Sequence, residues 1–374
     1  MTKKRTMYRY RLLFFTILMG ISAMAQEAPL KLGVVGLTHG HVGWILDRNT
    51  ADDINMAGIV ETDTALIDRL SQQFGFSKDL VYPTITAMIK AVSPDAVAAF
   101  GTIKEHLAVV EACAPEGIHV MLEKPMALDF KEAQKMAELA KKHGIEVLTN
   151  YETSWYPTNK KAYDLFKKGK VGPLRKVIVR DGHKGPKKIG VPEEFLEWLV
   201  DPEHNGGGAL MDFDCYGANL MTWLQNGQRP LQVTAVTQQL QPANNPLVDD
   251  DATIIVNYPT AMAIFEPSWN WPIGRKDMEI YGENGALLVD NASQLRIRIS
   301  EGYDGFSEEL VTLQKRLAPF DDPFSVFASV IRGTLQLEPF DPYSLENNLI
   351  TMEILSAAKK SARTQQTVVL KNEH

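Results

Sequence analysis

Gly117-Ile118-His119-Val120-Met121-Leu122-Glu123-Lys124-Pro125-Met126-Ala127-Leu128 decides how the rest of the chain is read. The apolar run at 119–122 stops abruptly at an acid, a base and a proline, as a short buried strand does where it meets loop. The proline biases Lys124 away from helix, so the lysine belongs to the strand's exit. A charged pair at the carboxyl end of a buried strand is where α/β enzymes keep their chemistry.

The same pattern recurs on both sides. Buried-strand runs stand at 32–35, 55–60 and 96–100, and one at 146–149 closes the series. Helical spacing fills the gaps at 65–74, 107–114 and 130–143, the last opened by Asp129 as N-cap. Strand and helix in alternation predict an α/β, Rossmann-like doubly wound parallel sheet over residues 30–150. Near Asn150 the pattern changes without a Pro/Gly-rich linker. A helix at 158–168, a strand at 175–180 and an irregular stretch to Asn205 lead into a helix at 211–226. Strands are then predicted at 231–241, 253–258, 261–268, 278–281, 286–290 and 295–300, joined by turns such as Glu283-Asn284-Gly285. Residues 151–374 thus read as an α+β domain with a large antiparallel sheet, open on one face.

The 374 residues, 45% hydrophobic and 23% charged, suffice for two ordinary domains and are too apolar for a disordered or fibrous class. A net charge of −7 argues against nucleic acid or an anionic membrane as main partner, because either needs a concentrated basic surface. Cys113 and Cys215, in helical segments of different halves, read as core thiols. Residues 1–25 read as a signal peptide. Lys3, Lys4, Arg5, Arg9 and Arg11 precede an apolar run at 12–21, and Ala23-Met24-Ala25 supplies small residues before Gln26. The run is short for a bilayer span, so the mature chain is expected to lack one and to be exported to a bacterial periplasm.

The first strand runs into Gly33-Val34-Val35-Gly36-Leu37-Thr38-His39-Gly40-His41-Val42-Gly43. A dinucleotide loop uses one glycine for a tight turn, a second for pyrophosphate approach and a third for helix–strand packing. Gly36 fits the first place. Thr38 and His41 stand in the second and third, while Gly40, beside His39, reopens backbone access and the helix N-terminus offers N–H groups to phosphate. The bland alternative is a glycine-rich turn with no ligand. Glu61 ends the second strand, where an acid takes the adenosine ribose hydroxyls and repels a 2′-phosphate, so NAD is expected before NADP.

A second block, Gly206-Gly207-Gly208-Ala209-Leu210-Met211-Asp212-Phe213-Asp214-Cys215-Tyr216, puts glycines where chain can approach a ligand, and Asp212 and Tyr216 on one helix face. Taken with Glu-Lys-Pro, this block closely resembles the Gfo/Idh/MocA family of sugar oxidoreductases, which includes glucose–fructose oxidoreductase and inositol dehydrogenase. The resemblance runs from about Leu30 to Leu370. Tyr216 departs from the commoner Asp-x-x-x-His pattern, although tyrosine also occurs there in glucose–fructose oxidoreductase-like members.

The resemblance implies an NAD(P)-dependent oxidoreductase acting on a secondary hydroxyl of a sugar or glycoside. It implies a homo-oligomer, and a helix at 344–363 returning onto the first domain. It also places Thr102 and His106 at the nicotinamide, Glu123 behind Lys124, and Lys124, Asp212 and Tyr216 at the chemistry. Such an oxidation needs a group that takes the hydroxyl proton while hydride leaves for the nicotinamide. Tyr216 serves if Lys124 lowers its pKa, with Asp212 holding the substrate or the lysine; Lys124 can instead polarise the developing carbonyl. The sequence leaves both open.

Trp155, Trp198, Trp269 and Trp271 fall near loops or strand ends, where an indole stacks on a pyranose, and Trp155 is expected at the substrate with His183. Asp181 and Lys184 flank His183 after the strand at 175–180. His183 with Asp181 or His204 matches no ligand spacing, so no metal is expected. Asp249-Asp250-Asp251 reads as a solvated turn. An exported enzyme has no obvious pool of nicotinamide cofactor, so it must hold its own. Three readings follow: an oxidoreductase with retained NAD, a redox-neutral hydrolase or lyase that reduces and restores NAD, and a sugar-binding protein that has lost the cofactor.

Overall fold

Six apolar runs form one parallel sheet in the computed structural model, which describes residues 28–48 and 52–370. The segment read as a signal peptide lies outside them. In chain order, β1 (Leu30–Val35), α1 (Val42–Leu46), β2 (Ile54–Val60), α2 (Thr64–Phe74), β3 (Val81–Tyr82), α3 (Ile85–Val92), β4 (Ala96–Ala99), α4 (His106–Cys113), β5 (His119–Glu123), α5 (Phe130–His143) and β6 (Val147–Asn150) alternate. The spatial order is β3-β2-β1-β4-β5-β6. Winding reverses between β1 and β4, and ligands of such sheets bind beyond the strand ends at that switch. β4 is buried along its whole length because helices cover both faces. Asp63 caps α2 and Asp129 caps α5 through backbone N–H groups, and left-handed Gly75 and Gly144 end them.

The second half is built on nine strands. α6 (Pro157–Lys167), β7 (Leu174–Gly182), the short α7 (Pro186–Ile189), α8 (Glu193–Leu199) and α9 (Pro202–Asn205), and then α10 (Ala209–Leu224) come first. β8 (Gln232–Gln238), β9 (Asp251–Asn257), β10 (Met262–Ser268), β11 (Arg275–Gly282), β12 (Gly285–Val289), β13 (Gln294–Glu301) and β14 (Gly305–Thr312) follow, then α11 (Pro323–Ile331), α12 (Leu345–Thr364) and β15 (Val368–Val369). Their order is β14-β13-β12-β11-β7-β10-β9-β8-β15.

This sheet is mixed rather than wholly antiparallel as expected: β7 and β10 run parallel, with Lys176 opposite Met262. The chain returns to β7 only after α10 and the β8–β9 pair, so no hairpin turn fixes the relative direction of the two strands. Along β9, Ala252, Ile254 and Val256 point inward while Thr253 and Ile255 are exposed. One face packs on α10, α6 and α12, and the other stays open. β14 gives no strand signal in sequence because nearly all of it is exposed and no alternation appears.

The last helix spans both halves. α12 packs on α10 and β8, and also on α5. Ser356 Oγ accepts the Phe130 N–H at 2.9 Å, and Lys359 Nζ donates to the Leu128 carbonyl at 3.2 Å. One apolar core runs from β4 and β5 through α10 to β10 and β11, so the halves share an interior.

Candidate active site

Lys124 leaves the carboxyl end of β5 through a cis peptide to Pro125 and points at the start of α10. Its ammonium pairs with Asp212 Oδ1 and donates to the Asp212 carbonyl at 3.0 Å. Both side chains are buried, Lys124 6% and Asp212 5% exposed. Burial alone would neutralise each partner. Burial raises Asp212, but the Lys124 charge beside it wins and holds the carboxyl below its ordinary value. Burial likewise lowers Lys124, and Asp212 foremost reverses this. The pair is therefore ionised. Asp212 Oδ2 accepts the Trp269 indole N–H at 3.0 Å, and the Tyr216 and Phe213 rings lie 5.3 and 5.5 Å from the ammonium.

The glycine block serves packing, not ligand approach. A Cβ on Gly208 would stand 1.8 Å from the Asp249 carbonyl oxygen. Asp249 accepts the Gly208 and Leu210 N–H groups at 3.0 and 2.8 Å, and so caps α10. Asp249-Asp250-Asp251 is thus no solvated turn. Asp250 is fully buried and accepts from Leu240, Gln241, Asn245 and Asn270, and its carbonyl accepts the Trp269 N–H at 2.8 Å.

Lys124, Asp212, Tyr216, His183, His39, Gly40 and His41 line a cavity of about 670 Å³. Sequence reading missed several of its walls. Glu152 pairs with Lys276 and accepts the Tyr156 hydroxyl at 2.6 Å, and the Lys276 ammonium lies 4.8 Å from the Tyr216 ring centre. Arg275 is bound by Asp277 at 2.5 and 2.9 Å. Glu152 had a usable signal, an acid just past the end of a parallel strand. Lys276 and Arg275 had none, because only strand pairing brings them here. Tyr216 is not prepared as a base: burial foremost, with Glu152, Cys215 and Asp212, pushes its phenol well above the ordinary value.

A second cavity of about 380 Å³ lies over the ends of β1, β2 and β4, lined by Gly36, Thr38, Glu61, Thr102 and His106 among others. Gly36 has φ +79°, and a Cβ there would stand 2.6 Å from Gly101 N, so only glycine lets the two loops meet. Thr38 Oγ1 and His106 Nε2 are buried without a partner. Glu61 Oε2 accepts the Leu37 N–H at 3.1 Å, which places an acid against the glycine loop. An adenosine ribose and pyrophosphate fit this donor and acceptor set. The first turn of α1 does not offer free amides, because the His41 and Val42 N–H groups donate to His39. Among the described residues, the Thr38 and Gly40 amides are left without an acceptor.

The expected cofactor residues therefore divide between two cavities. Glu123 lies behind the wall of the larger cavity, with Oε1 accepting the Asn150 amide at 2.8 Å and Oε2 meeting His41 Nδ1 at 2.9 Å. Trp155, expected at the substrate, does not line the cavity; it packs edge-on against Trp44, which stacks on His41. Trp269 holds Asp212, Trp198 packs near His39, and Trp271 lies under Arg275. His204 pairs with Asp201 and forms no ligand cluster with His183. His39, His41 and Glu123 converge within 4.8 Å. The His41 backbone N–H occupies His39 Nδ1 and the Lys124 charge lies nearby, which makes this a poor cation site.

A segment of the second half sits on the dinucleotide loops. Phe195 of α8 packs on His39 at 4.7 Å and over Gly40, Glu194 pairs with Arg69 of α2, and Glu203 of α9 pairs with Lys104.

Residues 30–151 match the oxidoreductase family with an NAD-binding Rossmann fold, and residues 159–288 match the GFO/IDH/MocA C-terminal domain. The chain belongs to the GFO/IDH/MocA family of NAD(P)-binding oxidoreductases. It is 22% identical over 360 residues to the D-xylose 1-dehydrogenase (NADP+) of Haloarcula marismortui, covering 92% of this chain and 94% of that one. It is 22% identical over 353 residues to the myo-inositol 2-dehydrogenase of Thermotoga maritima, 91% of this chain and 98% of that one. Its fold is shared with the aldose-aldose oxidoreductase of Caulobacter crescentus complexed with glycerol (TM-score 0.74, 23% identity, 91% of this chain, 100% of that one). It is also shared with an inositol dehydrogenase homolog of Azotobacter vinelandii complexed with NAD+ (TM-score 0.77, 18% identity, 91% and 97%).

Proposed function

We propose that this chain is an exported, periplasmic NAD-dependent oxidoreductase that oxidises a secondary hydroxyl of a neutral sugar or glycoside and keeps its dinucleotide between turnovers. The observation that carries this reading is the ionised Lys124–Asp212 pair, which lines the larger cavity at the end of β5. The nicotinamide, when bound, supplies the hydride acceptor. Lys124 keeps its protons and donates to the substrate oxygen as that oxygen becomes a carbonyl. Asp212 fixes the ammonium, and Phe195, Phe213 and Tyr156 wall the cavity.

Glu61 supports NAD over NADP, since its carboxylate opposes a 2′-phosphate. The contacts of α8 and α9 on the loops of the first domain support retention. Each Lys or Arg lining the larger cavity is already paired, Lys124 with Asp212, Lys276 with Glu152 and Arg275 with Asp277, which favours an uncharged substrate. The open sheet face, with Val236 61% exposed, supports a homo-oligomer. No helix among the described residues is long and apolar enough to cross a membrane.

Redox-neutral cleavage of a glycoside is the second reading, and Asp181 favours it. Its carboxyl, one residue before the Gly182 and His183 that line the cavity, is buried without a partner, and burial foremost raises it well above the ordinary value. The deciding experiment is to denature the purified mature protein and identify released nucleotide by absorbance and mass. About one NAD per chain is expected. An empty protein whose Tm ignores added NAD sinks both readings and leaves a sugar-binding protein. With NAD present, NADH accumulation on D-xylose or myo-inositol favours net oxidation, and sugar release from a glycoside without NADH favours cleavage.

A further inference from the structure

Four histidines line the two cavities: His39, His41 and His183 the larger, His106 the smaller. Their hydrogen bonds decide where each neutral ring carries its proton. His39 Nδ1 accepts the His41 N–H at 3.1 Å, so its proton is on Nε2. His183 Nδ1 accepts the Gly185 N–H at 3.0 Å and has the same tautomer. His106 Nδ1 meets the Met126 carbonyl, an acceptor only, at 3.1 Å; its bare Nε2 is buried on the dinucleotide side. His41 differs from His39 and His183 and shares the tautomer of His106, but lines the larger cavity. Its Nδ1 meets Glu123 Oε2 at 2.9 Å; burial foremost raises that carboxyl, against the pull of His39, the Asn150 amide and Lys124, and the ionised carboxylate places the ring proton on Nδ1 and leaves Nε2 as a lone pair without a partner among the described residues. That nitrogen belongs to a ring that lines the substrate cavity beside Lys124.

We propose that His41, oriented by Glu123, takes the substrate's hydroxyl proton. The proposal rests on the oxidoreductase reading above. As the O–H bond breaks, its proton passes to His41 Nε2; the carbon–oxygen double bond forms as the carbon gives up hydride, with its two electrons, to the bound nicotinamide dinucleotide. Glu123 is a positioning residue: it fixes the tautomer and stabilises the imidazolium, and Asn150 fixes Glu123 in turn. Trp44 stacks on the ring at 3.7 Å and sets its plane. The third place of the dinucleotide loop, where glycine would serve packing, thus holds a side chain that reaches the other cavity.

The groups facing His41 are His39 from its own loop, Glu123 and Lys124 from the end of β5, Glu152 after β6, Asp212 from α10 and Lys276 from β11. Burial foremost, then Lys124 and Lys276, lowers the ring's pKa against the opposing pull of Glu152 and Asp212. A ring that is neutral at pH 7 has the lone pair a base needs.

The test uses the mature protein labelled with ¹⁵N-histidine, with His41→Gln to assign the signal. At pH 7 the His41 ring is expected as the Nδ1–H tautomer, shifting toward Nε2–H in Glu123→Gln. An Nε2–H tautomer or an imidazolium in the parent protein overturns the proposal. In turnover with NAD and either D-xylose or myo-inositol, His41→Gln is expected to lower kcat by about 10²–10⁴-fold and to remove the acid limb of kcat/KM, with nucleotide content unchanged. A variant that keeps kcat and the acid limb, or that loses its nucleotide, also overturns it. A parent protein with the expected tautomer but without nucleotide would sink the oxidoreductase reading instead.

Discussion

The Trp269 indole N–H donates to Asp212 Oδ2 at 3.0 Å, so the carboxylate that holds Lys124 is itself held from beyond the end of β10. Trp269 is in turn tied by its backbone N–H to the buried Asp250. Trp269→Phe keeps most of the ring but leaves a buried carboxylate oxygen without its donor, at a cost of about 1–3 kcal/mol. A lower Tm is expected, with kcat reduced roughly tenfold as Lys124 loses its fixed position. Thermal melting and steady-state turnover check both, and no change in either refutes the link.

Lys124→Ala is expected to abolish turnover and also to destabilise. It strands Asp212 as an uncompensated buried charge, worth about 3–5 kcal/mol. The double variant Lys124→Met with Asp212→Asn should recover most of the Tm while staying inactive. If the double variant melts as low as the single one, the buried pair is not the source of the loss.

Nucleotide release should respond to the segment seated on the first domain. Glu194 and Arg69 are partly exposed, so Glu194→Ala costs no more than about 1 kcal/mol and should speed release by at most about fivefold. Salt should speed release from the parent protein more than from that variant. Phe195→Ala, which uncovers Gly40 and His39, should speed it further. Stopped-flow release of NAD distinguishes the three.

Asp341 gives a pH dependence of stability. Burial foremost pushes its carboxyl up to about 6, against the pull of the Tyr343 N–H and Arg316. A folded pKa above the unfolded value of about 3.9 means the fold disfavours the ionised form, with no penalty below pH ~4 and the full penalty above pH ~6. Asp341→Asn should therefore stabilise the protein at pH 7 by up to about 3 kcal/mol, with the gain vanishing near pH 4. Melting curves at the two pH values measure it.

Much of the first domain was legible because its strands are buried on both faces: β4 and β5 are unbroken apolar runs between turn signals. Lys124 could be placed because Pro125 marks the strand's end, and Asp212 and Tyr216 because helical spacing is local. What failed was non-local. The glycines at 206–208 have the pattern of a ligand loop, but Asp249, against which Gly207 and Gly208 pack, is distant in sequence. Lys276 and Glu152 meet only when β11 pairs with β7. His41 falls within the nucleotide loop in sequence, where nothing nearby points to Glu123, 82 residues on.

The parallel pairing of β7 with β10 sets an order of assembly. Lys176 cannot meet Met262 until the chain between them, with α10 and Asp212, has been made. Lys124 and the strands around it belong to a sheet that is complete by Asn150. Such long-range pairing is slow, and domains made first tend to fold first. The strands on the dinucleotide side can thus pair while the substrate side still has no wall, but their core closes only when α11 and α12 arrive from the far end of the chain.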